Sequence, residues 1–156
     1  MLEQDIPVIF ASVKEVTIMK TAVIYARVSS SNDRQNTQRQ IEDLTRFANS
    51  NNYNIIGTYE EHISGATKNE NRTVLMECLD FCVSQNANFL LLSELSRLGR
   101  STLQVLKSLE MLHEAGVSVY IQNLGIYTLN ATGEANPVAS IMVTVLRSEE
   151  HTSVLQ

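Results

Sequence analysis

Two periodicities alternate along the chain. Short apolar runs at Ala22-Val23-Ile24 and Leu90-Leu91-Leu92 read as buried strands. Strands are expected near 22–28, 54–60, 88–92 and 117–122. Between them the spacing becomes helical. Near 36–50, Ile41, Leu44 and Ala48 share a face; a second helix is expected near 73–84. Near 101–115, Val105, Leu106, Leu109 and Leu112 point inward, and Gly116 supplies a C-terminal stop. The stretch 64–71, Ser-Gly-Ala-Thr-Lys-Asn-Glu-Asn, reads as a loop. After Gly125-Ile126-Tyr127 comes a polar turn at 130–134, and Pro137 opens a last apolar segment from Val138 to Leu146, readable as a helix. Strand and helix follow one another in βαβ order. The expected fold is therefore α/β: three layers, with a mostly parallel central sheet flanked by helices.

The same pattern sets boundaries. Residues 21–146 carry it, and no internal repeat or low-complexity tract interrupts it. Residues 1–20 stand outside it; Met19-Lys20 directly precedes the first strand, so the upstream stretch is expected to be an extension or a misassigned start. Residues 147–156 break the apolar repeat and resemble the translation of a sequencing adapter, which marks them as an expected non-native tail. On this reading the last helix is cut short, and the chain alone should associate weakly through Val138, Ile141, Val145 and Leu146.

Composition narrows the class. The chain has 156 residues, 44% of them apolar, enough to bury a core and too many for disorder. No run approaches bilayer length and no signal peptide is visible, so a cytoplasmic protein is expected. Cys78 and Cys82 stand four apart in a helical pattern without metal-ligand neighbours, which favours buried free thiols over a disulfide or a zinc site. The net charge is −5, and nine basic against twelve acidic residues remain when 1–20 and 147–156 are left out. A chain of that balance should bind nucleic acid weakly by itself.

The candidate chemistry begins at Tyr25-Ala26-Arg27-Val28-Ser29. Strand alternation turns Ile24, Ala26 and Val28 to the core and sets Tyr25, Arg27 and Ser29 in a row on the other face. The row lies at a strand's carboxyl end, where open α/β sheets bind ligands. A serine nucleophile beside a guanidinium suits attack on a phosphate. Alternation favours Ser29 over its neighbour Ser30, and Ser31 falls in the loop. The alternative is an edge strand with a polar face. The second segment is Ser93-Glu94-Leu95-Ser96-Arg97-Leu98-Gly99-Arg100, after the strand at 88–92. Arg97 and Arg100, three apart, would share a face of a helical turn, ahead of a capping box Ser101-x-x-Gln104. Two guanidiniums at a helix N-terminus make a phosphate clamp. A serine-hydrolase elbow and a Gly-rich phosphate loop are absent, and His62, His113 and His151 are scattered.

Together these segments, with Gln38, Ser64-Gly65 and Arg72 in matching order, resemble the catalytic domain of the serine recombinases, the resolvase/invertase family, over about residues 21–146. The resemblance implies a site-specific DNA recombinase. Ser29 would attack a phosphodiester and form a 5′-phosphoserine link. Arg27, Arg97 and Arg100 would hold the phosphate, with Arg72 as a fourth. Gln38 would orient the phosphate or the leaving oxygen, or be a solvated helix residue. Tyr25 would shape the site or be a core aromatic. The partners implied are double-stranded DNA and further copies of the chain, a homodimer pairing into a tetramer. No cofactor and no metal are implied. One departure stands out: the family commonly has Asp where this chain has Ser96, and Glu94 is the nearby acid that could substitute. The competing readings are an inactive truncated recombinase and a protein-interaction module. Whether the reaction resolves, inverts or integrates depends on target-site geometry.

Overall fold

The structure, a computed structural model, describes residues 18–28, 34–62, 73–99 and 101–155. Ser29, Ser30, Ser31, Ser64-Gly65, Arg72 and Arg100 lie outside the described residues, as do residues 1–17 of the expected extension. Five strands, β1 (Thr21–Val28), β2 (Asn54–His62), β3 (Phe89–Leu92), β4 (Ser118–Ile121) and β5 (Ile126–Tyr127), form one sheet in the order β2-β1-β3-β4-β5. The first four are parallel, and β5 returns antiparallel to β4. β1 therefore sits inside the sheet. The helices are α1 (Arg34–Ser50), α2 (Thr73–Ser84), α3 (Thr102–Glu114) and α4 (Pro137–Leu155).

The position of β1 corrects one expectation. Its side chains do alternate, but both faces are core. Ala22 and Ile24 pack with Leu44, Ala48 and Leu91 under α1. Val23 and Tyr25 pack with Leu75, Leu79, Val105 and Leu112 under α2 and α3. A parallel strand with helices over both faces is buried on both sides, so there is no polar face and no edge strand here. Cys78 and Cys82 lie in the second cluster as buried free thiols. The hydrogen bond with Cys82, and then burial, hold the Cys78 thiol well above the ordinary thiol value, which makes it inert.

Local chemistry sets the element ends. Ser101 caps α3, its Oγ accepting from the Gln104 N–H at 3.2 Å. At the other end Gly116 takes φ +77°, and the Val117 N–H closes onto the Leu112 carbonyl at 2.9 Å. β5 was not expected; two residues are too few to show a period. It follows from the tight turn at 122–125, where Gly125 adopts φ +66° and donates to the Ile121 carbonyl at 2.8 Å.

The last helix differs as well. Its backbone stays helical to Leu155 rather than ending at Leu146. Residues 147–150 break the apolar repeat, but helical backbone does not need one: Arg147 and Ser148 are exposed, and helix propensity rather than burial decides such positions. Leu146 faces inward with Met142 and Val143, whereas Val138, Ile141 and Val145 are exposed. Among the described residues, no helix is long and apolar enough to cross a membrane.

Candidate active site

The carboxyl ends of β1, β3 and β4 open into a cleft of about 480 Å³. Val28, Asn36, Gln40, Ser93, Glu94, Arg97, Gln122 and Asn123 line it. Val28 directly precedes Ser29 in the sequence.

Arg27 reaches the same end of the sheet and is buried, only 8% exposed. Its Nη2 donates to the Ser96 carbonyl at 3.0 Å. That bond ties β1 to the segment after β3. In that segment Leu95–Leu98 form a 3₁₀ turn rather than the start of a longer helix. The buried Leu98 anchors the turn, and the Ser108 hydroxyl donates to the Leu98 carbonyl at 2.9 Å. Gly99 is extended, with φ −178°, before α3 begins. Arg97 thus stands on a separate turn, not at the N-terminus of α3 as the spacing suggested. Its Nη2 lies 2.7 Å from Glu94 Oε1. The Nε of Arg97 is buried without an acceptor among the described residues.

Tyr25 is fully buried, and its hydroxyl donates to the Glu61 carboxylate. Glu61 is buried too and stands opposite Arg27 in the β1–β2 register. An acid paired in register with a site arginine was not singled out from the sequence. Its signal is visible only once β2 is laid beside β1. On the other face of β2, Glu60 Oε1 accepts from the Thr37 hydroxyl at 2.5 Å and lies 2.7 Å from His62 Nε2. These bonds fasten the start of α1 to the end of β2.

Gln38 is exposed and is not among the cleft-lining residues. The glutamine at the cleft is Gln40. Its Oε1 accepts from the Arg27 backbone N–H and from the Ser93 hydroxyl, both at 3.3 Å, and its Nε2 donates to the Arg27 carbonyl at 3.3 Å. One side chain therefore joins α1, β1 and the end of β3. The described residues thus bring Arg27, Arg97 and Gln40 to one place, with Tyr25 and Glu61 buried beneath. Such an arrangement can hold an anion: Arg97 supplies charge and N–H donors in the cleft, Arg27 is bonded to the turn that carries it, and the Gln40 amide fixes β1. Among the described residues, no group of three His, Cys, Asp or Glu could hold a metal ion.

Known proteins share this family and fold. The family model of the resolvase N-terminal domain matches residues 22–152. No curated protein sequence matches the chain. Among solved structures, the N-terminal catalytic domain of TP901-1 integrase superposes with a TM-score of 0.67 at 23% identity, over 86% of this chain and 96% of that one. A resolvase family site-specific recombinase from Streptococcus pneumoniae gives 0.64 at 23% identity, over 86% and 87%. The C-terminal catalytic domain of ISC1926 TnpA, an IS607-like serine recombinase, gives 0.58 at 28% identity, over 65% and 70%. These likenesses establish the fold. With a family match spanning most of its length, the chain belongs to the resolvase family, through that family's N-terminal domain.

Proposed function

We propose that this recombinase domain cleaves and rejoins DNA through Ser29. The Ser29 hydroxyl attacks a backbone phosphorus, its proton leaves, and the P–O3′ bond breaks. The products are a 5′-phosphoserine link and a free 3′-hydroxyl. In the second step a 3′-hydroxyl of another strand attacks the phosphoserine, and the serine oxygen takes a proton back. One phosphodiester is exchanged for another through an ester of similar energy, so the cycle needs no nucleotide cofactor.

The carrying observation is that Arg97 lines the same cleft as Val28, the residue before Ser29, while Arg27 is bonded to the Arg97-bearing turn through the Ser96 carbonyl. Charge builds on the nonbridging oxygens in the pentacoordinate state, and fixed guanidiniums stabilise it there more than in the ground state. Arg100 and Arg72 complete the set by resemblance to the family. Gln40, rather than Gln38, is the glutamine of the site, and Tyr25 acts by holding Glu61 beside Arg27. The substrate is double-stranded DNA in the cytoplasm, and the acting form is a dimer pairing into a tetramer. With a net charge of −5, the chain contributes little of the DNA affinity.

The test joins the chain to a sequence-specific DNA-binding domain and offers duplexes of random sequence beside the anchor site. The parent should form a denaturant-resistant protein–DNA adduct with a free 3′-hydroxyl. Ser29→Ala should abolish the adduct and leave DNA binding unchanged. Arg97→Ala should slow adduct formation by roughly a hundredfold, if the guanidinium contributes about 3 kcal/mol to the transition state. An adduct that survives Ser29→Ala would overturn the mechanism.

A further inference from the structure

The cleft contains one acid that strand transfer through Ser29 and the arginines does not use. Glu94 lies just beyond β3 and is the sole acid among the described residues lining the cleft. Its carboxylate sits 2.7 Å from the Arg97 guanidinium, with the two side chains 40% and 24% exposed. An i, i+3 ion pair at a surface contributes little to stability. Its geometry is more telling. A guanidinium is a planar fork of five donors, so a partner held at one nitrogen restricts where the others can point. Arg97 Nη2 is held by Glu94, while Arg97 Nε is buried without an acceptor among the described residues. A buried donor in that state is disfavoured unless an acceptor arrives. A phosphate oxygen in the cleft would be one.

The same short segment holds the second arginine. Between Glu94 and Arg97, the Ser96 carbonyl accepts from Arg27 Nη2 at 3.0 Å. Residues 94–97 thus orient both guanidiniums, one through a side-chain carboxylate and one through a backbone carbonyl. Within residues 93–99 the one carboxylate is that of Glu94.

We infer that Glu94 is a positioning residue for strand transfer: it holds the Arg97 guanidinium edge-on to the cleft, ready for the phosphate. The inference rests on the proposed chemistry at Ser29. A carboxylate repels a phosphate directly, so Glu94 acts through Arg97 and not by touching DNA. The opposite role is also definable: a carboxylate that merely occupied Arg97 would compete with the phosphate, and its removal would speed the reaction.

The test is a double-mutant cycle on the same DNA-tethered chain, with adduct formation timed at saturating DNA. Glu94→Gln keeps the size and a hydrogen-bonding group but removes the charge. It should slow the rate at least about tenfold in the parent and less than about twofold in Arg97→Ala. DNA affinity and the unfolding midpoint should not move. Glu94→Ala should show the same dependence on Arg97, which guards against a peculiarity of the amide. An unchanged or faster Glu94→Gln beside an active parent overturns the inference alone, as does an equal loss in both backgrounds. A parent that forms no Ser29 adduct overturns the recombinase chemistry, and this inference with it.

Discussion

His113, in the last turn of α3, shows how one side chain couples the fold to pH. Its Nε2 lies 2.8 Å from Thr128 Oγ1, and burial lowers its imidazole below the ordinary histidine value. A base with a lowered folded value binds fewer protons folded than unfolded. This part of the stability is therefore complete above the ordinary imidazole value, about pH 6.5, and declines as pH falls below it. The decline levels off once pH passes the lowered folded value. Urea unfolding at intervals from pH 7.5 to pH 5 should show the midpoint falling, and His113→Gln should flatten that slope. An identical slope in the variant would assign the pH dependence to other groups.

At this scale the sequence was partly legible. The strand period set Tyr25 and Arg27 on one side of β1, but not that Tyr25 would pack into the core there. Gln40 was harder, because Gln35, Gln38 and Gln40 all lie at the start of α1. The phase of the helix was the available signal: Ile41, Leu44 and Ala48 point inward, which carries Thr37 to the buried side and turns Gln38 away. What no local pattern revealed was Glu61, whose partners sit on the neighbouring strand.

At the scale of elements, the long ones were readable and the short ones were not. Four strands and four helices were expected from the pattern, and α2 falls where the spacing put it, at Thr73–Ser84. The 3₁₀ turn and β5 span too few residues for a period to emerge, yet the turn carries Arg97. Its junction with α3 depends on Gly99. A Cβ built there would lie 2.7 Å from the Val105 nitrogen and 2.8 Å from Gln104 Cβ. The backbone is extended, a conformation any residue adopts, so the demand for glycine is purely steric. Relief requires moving the first turn of α3, not rotating a side chain. Gly99→Ala should destabilise the domain by about 1–3 kcal/mol, as overpacking does. It should also slow adduct formation by displacing Arg97. Urea unfolding and adduct timing on one preparation would check both effects. A variant with parent stability would mean that α3 yields without cost.

At the scale of the whole molecule, the fold places the candidate cleft and an exposed apolar stripe on separate elements. The cleft lies at the carboxyl edge of the sheet. α4 is fastened by Ala139, Met142, Val143 and Leu146, and presents Val138, Ile141 and Val145 to solvent, 51%, 65% and 51% exposed. Spaced three and four apart, those three form one stripe along the helix. The helical backbone continues to Leu155, so the element carrying the stripe is longer than the apolar pattern implied. A stripe of apolar side chains left in water favours association, and in the proposed assembly it meets its equivalent on a second copy. Sedimentation velocity over a concentration series should show a reversible monomer–dimer equilibrium. Ile141→Glu places a carboxylate at the most exposed point of the stripe, where pairing across a two-fold axis would bury it twice. It should weaken the dimer at least about tenfold, or 1.4 kcal/mol, while the unfolding midpoint of the monomer stays put. If Ile141→Glu sediments like the parent at every concentration, the copies meet elsewhere.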